Sequence, residues 1–232
     1  MGDHMENYIF DLYGTLIDIH TDEQSLSFWK KLCVYLNKRG YSYKEKELKE
    51  LYLKLVHEEE HEDKLYEIEL MDVFKKIAAQ YADEFALYFR KASTDYIACF
   101  ENTKKVLEYL KEEGKHVYLL SNAQACFTLP ELKELGLYDY FDDIFISSSY
   151  HIKKPHPSFL EELMKKHHLH KEESVMIGND FTTDMAIAKK VGITGVFLNT
   201  DGYSQEEMYS HDLSHVHLIE SGDLIELLSM FH

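Results

Sequence analysis

The fold of this chain is decided by one stretch, Tyr8-Ile9-Phe10-Asp11-Leu12-Tyr13-Gly14-Thr15-Leu16. An apolar run rich in β-formers and bounded by a turn residue predicts a buried strand, and ligands of open α/β sheets bind just beyond the carboxyl ends of such strands. Asp11 therefore stands where a nucleophile is expected. Gly14 allows a sharp turn close to a ligand, and the Thr15 hydroxyl can donate to an anionic oxygen. Taken alone, the pattern also fits a core strand whose Asp caps a turn.

The composition predicts an ordinary globular protein that handles small molecules. The chain has 232 residues, is 45% hydrophobic and carries a net charge of -17, with Arg39 and Arg90 as its two arginines. Nucleic acids and anionic membranes need clustered basic residues, so neither is expected as a partner. No apolar run approaches the ~18 residues of a membrane span. We also expect no signal peptide, and we set aside residues 1–4, ahead of Met5, as a remnant of an expression tag.

The three cysteines indicate a reducing compartment. They lack C-x-x-C spacing and are odd in number, which predicts free thiols in a cytoplasmic protein and neither a disulfide framework nor a zinc site.

After the first strand, a helical pattern replaces the strand pattern until about Phe100. Asp22 is a candidate N-cap for the first helix of this region, which should end at Arg39-Gly40. Apolar residues recur at helical spacing in three further segments, 43–57, 66–81 and 83–100. The sequence therefore predicts a four-helix bundle, residues 19–99, inserted into a second domain made of residues 5–18 and 100–232.

From Thr103 onward, strands and helices alternate. Predicted strands cover 116–120, 144–146, 175–177, 196–198 and 216–219, with helices at 103–113, up to about 136, 157–167, 184–191 and 224–231. Helices of this length between strands indicate parallel pairing through right-handed crossovers. We predict an α/β core with a doubly wound, Rossmann-like parallel sheet.

Polar groups suited to a phosphate site follow three of these strands. They are Ser121-Asn122, Lys154 before Pro155, and the run Gly178-Asn179-Asp180-Phe181-Thr182-Thr183-Asp184. Mg²⁺ is bound by a few carboxylates plus waters and substrate phosphate, which Asp11 and Asp180 can supply together. Each signal alone has a plainer explanation: a loop start, a surface Lys-Pro, and an Asp that caps a helix.

Together the four motifs resemble those of the haloacid dehalogenase superfamily, in the family's order and across nearly the whole chain. The helical insertion between the first two motifs resembles the type I cap of its subfamily I. The resemblance implies that Asp11 is the nucleophile and that Asp11, Asp180 and the Tyr13 backbone carbonyl bind the metal. It also assigns catalytic or phosphate-binding roles to Tyr13, Gly14, Thr15, Ser121, Asn122 and Lys154, and supporting roles to Asn179 and Asp184.

Tyr13 departs from the family's phosphatase pattern, which has at this position an aspartate that protonates the leaving oxygen. A phenol with an ordinary pKa near ~10 is a poor acid at neutral pH. The family's dehalogenases do have tyrosine here, but their fourth motif lacks a metal carboxylate, whereas Asp180 is retained. They also use a cap arginine, for which Arg39 is in roughly the right region, and an aromatic residue where this chain has Leu160, preceded by Phe159.

We therefore expect Mg²⁺-dependent hydrolysis of a small phosphorylated metabolite by an aspartate nucleophile. Two alternatives remain open. One is a metal-independent 2-haloacid dehalogenase, and the other is a binding or regulatory protein that keeps the fold without efficient turnover. Metal dependence separates the phosphatase from the dehalogenase. Phosphate release stimulated by Mg²⁺ supports the phosphatase, and halide release without metal supports the dehalogenase.

Overall fold

The computed structural model describes residues 4–231 and confirms the α/β class. The tag remnant assigned to residues 1–4 therefore lies, except for His4, outside the described residues. A six-stranded parallel sheet has the order β5-β4-β1-β6-β7-β8, and a separate two-stranded sheet pairs β2 with β3. The strands are β1 (Asn7–Phe10), β2 (Ile17–Thr21), β3 (Thr94–Cys99), β4 (His116–Ser121), β5 (Asp143–Ile146), β6 (Ser174–Gly178), β7 (Thr194–Leu198) and β8 (Val216–Ile219).

Strand β1 lies at the centre of the large sheet, parallel to β4 on one side and β6 on the other. Its side chains alternate between the two faces, as the period of a strand requires. Tyr8 and Phe10 pack into one hydrophobic cluster, and Ile9 packs into the cluster on the opposite face. Both faces of the sheet are therefore buried, which explains why the strands are continuous apolar runs.

Helices cover both faces of the sheet and build the insertion. They are α1 (Leu26–Asn37), α2 (Glu45–Glu59), α3 (Leu70–Ala78), α4 (Ala82–Ser93), α5 (Thr103–Glu112), α6 (Ala125–Glu134), α7 (Ser147–Tyr150), α8 (Pro157–His167), α9 (Ala186–Val191) and α10 (Gln205–Tyr209). Short 3₁₀ turns occur at Ala79–Tyr81, Tyr138–Tyr140, Lys171–Glu173 and Leu224–Ser229, and one π-helical turn at Phe181–Met185. The 3₁₀ turn at Leu224–Ser229 replaces the α-helix predicted for 224–231.

Helices α1 to α4 pack around their own hydrophobic cluster, rich in aromatic rings. Phe89 of α4 lies near its centre, with ring centroids 5.0 Å from Phe28 and 5.1 Å from Phe74. Two residues from outside the insertion, Cys126 and Phe127 of α6, belong to the same cluster. Helix α6 therefore joins the core to the bundle.

The prediction of a fourth helix over 83–100 is wrong at its second half. Helix α4 ends at Ser93, and residues 94–99 form β3, which pairs antiparallel with β2. The hydroxyls of Ser93 and Thr94 both donate to the Arg90 carbonyl, at 3.0 and 2.7 Å, and so help to end the helix. The partner strand lies far back in the sequence, where helical periodicity carries no information about it.

Two other helix boundaries differ from the predictions. Ser25, not Asp22, caps α1, while the Asp22 carboxylate accepts from the backbone N–H groups of Gln24 and Ser25 in the preceding turn. Helix α3 begins at Leu70, so residues 66–69 are not helical. The domain division after residue 18 stays a prediction, and it falls inside β2.

Cys33, Cys99 and Cys126 are free thiols. Within residues 4–231, no helix combines the length and apolar character needed to cross a bilayer.

Candidate active site

The carboxyl ends of β1, β4 and β6 bring the predicted site residues together. Asp11 is the first residue after β1, and its N–H donates to the Ile177 carbonyl of β6 at 2.8 Å. Its side chain is 13% exposed, so the carboxylate is accessible but mostly surrounded by protein. Gly14 has a φ of +83°, and a Cβ there would lie 2.4 Å from the Asn179 amide nitrogen. Only glycine permits this approach between the turn after Asp11 and the turn after β6.

Lys154 is buried at the centre of the site. Its Nζ donates to Asp11 Oδ1 at 2.8 Å, to Asp184 Oδ1 at 2.7 Å and to the Leu120 carbonyl at 2.7 Å. All three ammonium protons are thus used. Burial alone would lower the pKa of Lys154, but the two carboxylates outweigh it and the net shift is upward. The lysine therefore stays charged and fixes one oxygen of Asp11.

Asn122 holds the lysine in place through its backbone. Its Oδ1 accepts from the Lys154 N–H at 2.8 Å, and its Nδ2 donates to the Lys154 carbonyl at 3.0 Å. Both polar atoms of the Asn122 side chain are therefore bound to the backbone of Lys154. The sequence had instead predicted direct contact between Asn122 and phosphate.

The turn after β6 places Asp180 and Asp184 differently. Asp180 Oδ1 accepts from the N–H groups of Thr182 and Thr183, at 2.6 and 3.0 Å, and so caps its own turn. Asp184 is fully buried, and its Oδ2 accepts from the Asp180 N–H at 3.2 Å. Gly178 is required here, because a Cβ would lie 2.1 Å from Asp184 Oδ2.

Thr15 and Ser121 bring two hydroxyls to the same region. Thr15 Oγ1 lies 3.5 Å from Asp11 Oδ2 and 3.3 Å from Asn179 Oδ1. Ser121, at the end of β4, is buried, and its hydroxyl has no hydrogen-bond partner among the described residues. Because buried polar groups are almost always hydrogen-bonded, an unused hydroxyl at this edge indicates a donor available to a ligand.

The charges of the site suit a divalent cation. Three carboxylates, from Asp11, Asp180 and Asp184, accompany the single ammonium of Lys154. Burial raises the pKa of Asp184, and the charge of Asp11 adds to that rise. The described residues contain no group of three His, Cys, Asp or Glu side chains arranged to hold a metal. The carboxylate oxygens of Asp11 and Asp180 are of the kind that a hard cation accepts together with water and substrate oxygens.

A family model described as haloacid dehalogenase-like hydrolase matches residues 8–198. The chain belongs to this family. It is thus a hydrolase.

Relatives and structural neighbours agree with this assignment. A glyceraldehyde 3-phosphate phosphatase of Pyrococcus furiosus is 24% identical over 69% of this chain and 75% of its own length. A phosphoglycolate phosphatase of Vibrio vulnificus is 30% identical over 61% of this chain and 60% of its own. The fold resembles a phosphatase of Thermococcus onnurineus (TM-score 0.64, 22% identity, 98% of this chain and 99% of that one) and a 2-haloacid dehalogenase of Pseudomonas syringae (TM-score 0.68, 20% identity, 97% and 98%).

Within this hydrolase, the Tyr13 hydroxyl is bound by α6. It lies 2.9 Å from Thr128 Oγ1 and donates to Glu131 Oε2. Glu131 Oε1 in turn accepts from Arg90 Nε of α4 at 2.6 Å, and the guanidinium lies 5.5 Å from the centroid of the Tyr13 ring. Burial raises the pKa of Tyr13, and the charge of Glu131 raises it further. The phenol is therefore a poor proton donor in this protein.

The arginine of the helical insertion that lies beside the turn after Asp11 is thus Arg90, not Arg39. Arg39 stacks on the Tyr35 ring at 3.6 Å and pairs with Glu84, and both partners belong to the bundle. Nothing in the local sequence distinguished Arg90, because its position follows from the packing of α4 on α6. Phe159 and Leu160, compared above with the dehalogenase aromatic, are fully buried beside the sheet.

Proposed function

We propose that this hydrolase is a Mg²⁺-dependent phosphatase of a small phosphorylated metabolite, with Asp11 as its nucleophile. The observation that carries the proposal is the combination of Asp11 with a retained Asp180. Asp180 has one carboxylate oxygen engaged in capping its turn, which leaves the other oxygen for a cation. The relatives named as phosphatases support the same reaction, and a reducing, cytoplasmic setting is part of the proposal.

Each residue has a physical role in this scheme. Lys154 holds Asp11 and neutralises charge as the anionic substrate approaches. Thr15, Ser121 and the turn at Gly14 bind the phosphoryl oxygens, because they present donors or close backbone at the same edge of the sheet. Asn122 positions Lys154, and it does so through the two backbone hydrogen bonds described above.

The fourth motif has supporting and metal-binding roles. Asp11, Asp180 and the Tyr13 carbonyl would hold Mg²⁺, which polarises the phosphoryl group and offsets its charge. Asp184 anchors Lys154, and Asn179 links the Thr15 hydroxyl to Asp201 through hydrogen bonds of 3.3 and 2.9 Å. Residues 19–99 act as a cap over the site.

The test compares wild type with Asp11→Asn on phosphoglycolate and glyceraldehyde 3-phosphate, with Mg²⁺ and with a chelator. We expect Mg²⁺-dependent phosphate release by wild type, and at most a few per cent of it by the variant, because an amide cannot form the aspartyl-phosphate. Unchanged unfolding midpoints serve as the control for folding. Phosphate release by Asp11→Asn at the wild-type rate would remove Asp11 from the reaction.

One observation favours a second candidate, a dehalogenase, because Tyr13 occupies the position of the phosphatase acid. Halide needs no proton in order to leave, so this reaction tolerates the tyrosine. Halide release from a 2-haloacid without metal, together with no phosphate release from any ester, identifies the dehalogenase. If ligands bind and neither product forms, the chain is a binding or regulatory protein.

A further inference from the structure

The proposed phosphatase reaction needs a proton donor that Tyr13 does not supply. The leaving oxygen of an alkyl ester must be protonated, and a positioned acid accelerates this step by roughly 10²- to 10⁴-fold. The Tyr13 hydroxyl donates to Glu131 and lies beside Thr128, so it has no free proton to direct at a substrate. Another group near the turn after Asp11 therefore has to provide the proton.

Glu23 lies just before α1, and it interacts with Arg90, the arginine whose guanidinium lies over the Tyr13 ring. The N–H of its neighbour Asp22 donates to the Ser93 carbonyl at 2.7 Å, which attaches this segment to the end of α4. One turn earlier in α4, Arg90 lies over the Tyr13 ring. Trp29 Nε1 donates to the Glu23 carbonyl at 2.9 Å and fixes the backbone. Glu23 is thus held near the end of α4, close enough to Arg90 for the two charges to interact.

The Glu23 carboxyl is half-buried and has no hydrogen-bond or ion-pair partner within residues 4–231. Trp29, which binds the Glu23 backbone, lies 5.5 Å from Tyr52 between ring centroids, and the charge of Glu23 contributes to the raised pKa of Tyr52. Burial raises the pKa of Glu23, and the charge of Arg90 opposes that rise only in part. Arg90 of α4 and Tyr52 of α2 are the titratable groups that interact with it. Burying a carboxyl without a hydrogen-bond partner lowers the stability of the fold unless a ligand supplies the partner.

Three other acidic side chains on or beside the helical insertion are already engaged. Glu131 binds Arg90 and Tyr13, Glu67 accepts from the Ser147 hydroxyl at 3.0 Å, and Glu69 caps α3 by accepting from the Met71 N–H. Glu23 differs from these three because its carboxyl is half-buried and has no hydrogen-bond partner among the described residues.

We propose that Glu23 is the acid and base of the reaction in place of Tyr13. As Asp11 attacks phosphorus and the bond to the leaving oxygen breaks, the Glu23 carboxyl gives its proton to that oxygen and the alcohol departs. The resulting Glu23 carboxylate then takes a proton from the water that attacks the aspartyl-phosphate. Inorganic phosphate leaves, Asp11 is regenerated and Glu23 is protonated again, so each turnover consumes one water.

This inference rests on the proposed phosphatase activity, and a series of phosphate esters graded by leaving-group pKa tests it. For Glu23→Gln in Mg²⁺, we expect kcat for alkyl phosphates to fall by about 10²-fold or more, since the amide cannot donate a proton. Phosphoryl transfer from 4-nitrophenyl phosphate to Asp11, followed as the nitrophenol burst, should change by less than about 5-fold, because that leaving group departs without one. Glu84→Gln, in the same cap but exposed, should match wild type on both esters.

Two further readouts separate catalysis from structure. Wild-type kcat for alkyl esters should fall as pH rises through the pKa of Glu23, and Glu23→Gln should lack this limb. The urea midpoint of Glu23→Gln should equal or exceed that of wild type, because the change removes an unpaired, half-buried carboxyl. Glu23→Asp should recover part of the alkyl activity and supplies the same comparison if Glu23→Gln fails to fold.

The outcomes distinguish this inference from the proposed function. A loss in the nitrophenol burst as large as the loss in kcat for alkyl esters, or no loss in either, overturns the role of Glu23 and leaves the phosphatase intact. If wild type hydrolyses no ester in Mg²⁺, the proposed function itself fails.

Discussion

Replacing Glu131 by glutamine tests the network that joins α4 to the turn after Asp11. Glu131 receives hydrogen bonds from Tyr13 and from Arg90, and its side chain is 10% exposed, while that of Arg90 is 16% exposed. Glutamine keeps the shape of the side chain and removes its charge. Arg90 is then left as a mostly buried cation without its hydrogen-bonded carboxylate.

The expected loss of stability follows from this burial. Removing one partner of a buried ion pair costs about 3–5 kcal/mol, and the small remaining exposure places this pair near ~3 kcal/mol. In a protein of this size, 1 kcal/mol shifts the melting temperature by about 2–4 °C, so the variant should melt roughly 6–12 °C lower. Arg90→Met should cost a similar amount, because it leaves Glu131 unpaired. The double variant should lose clearly less than the sum of the two.

Thermal and urea unfolding of the three variants measure these values. Lys46→Met is the matched control, because Lys46 pairs with Glu50 on the surface of α2 and both side chains are well exposed. It should leave the melting temperature within about 1–2 °C of wild type. Additive effects of Glu131→Gln and Arg90→Met, or a loss as small as the control's, would refute a buried, coupled pair.

Three shorter predictions concern the site and the cap. Asp180→Ala should weaken Mg²⁺ binding in calorimetric titration more than Asp184→Ala does, because both oxygens of Asp184 are occupied by Lys154 and a backbone N–H; equal affinities would contradict the assignment. Arg39→Ala should leave KM unchanged, since Arg39 contacts the bundle; a several-fold rise would put it in the substrate site. Tyr13→Phe should keep kcat for alkyl phosphates within about 10-fold, whereas a loss above 100-fold would make the phenol the proton donor.

The sheet and the positions of its motifs could be predicted because each signal is local. Asp11, Ser121 and Asp180 each lie at or next to the end of an apolar run, and parallel strands carry such ends to one edge. Lys154 was predicted from a different local signal, the prolines before and at the start of α8, because α7 separates it from the end of β5. The period of the pattern and the crossover rule were sufficient for these elements.

Contacts between distant segments could not be predicted in this way. Tyr13 and Glu131 are 118 residues apart in the sequence, and Glu131 and Arg90 are 41 apart. Strand β3 was missed for the same reason, because its residues become a strand by pairing with β2. Asn122 reads as a phosphate donor in the sequence, while the fold turns its amide to the backbone of Lys154.

Helix α6 connects these features. Gln124, just before its first residue, donates to the Ile68 carbonyl and accepts from the Leu70 N–H, both at 2.9 Å, and so binds the start of α3. Phe127 packs in the bundle cluster, and Glu131 holds Arg90. Helices α1 to α4 and the segment before α3 therefore contact α6 from its start to Glu131. Three residues separate α6 from Ser121. Any displacement of helices α1 to α4 relative to the sheet must therefore either break these contacts or carry α6 with it, whereas Ser121 is held in the sheet by the pairing of β4 with β1 and β5.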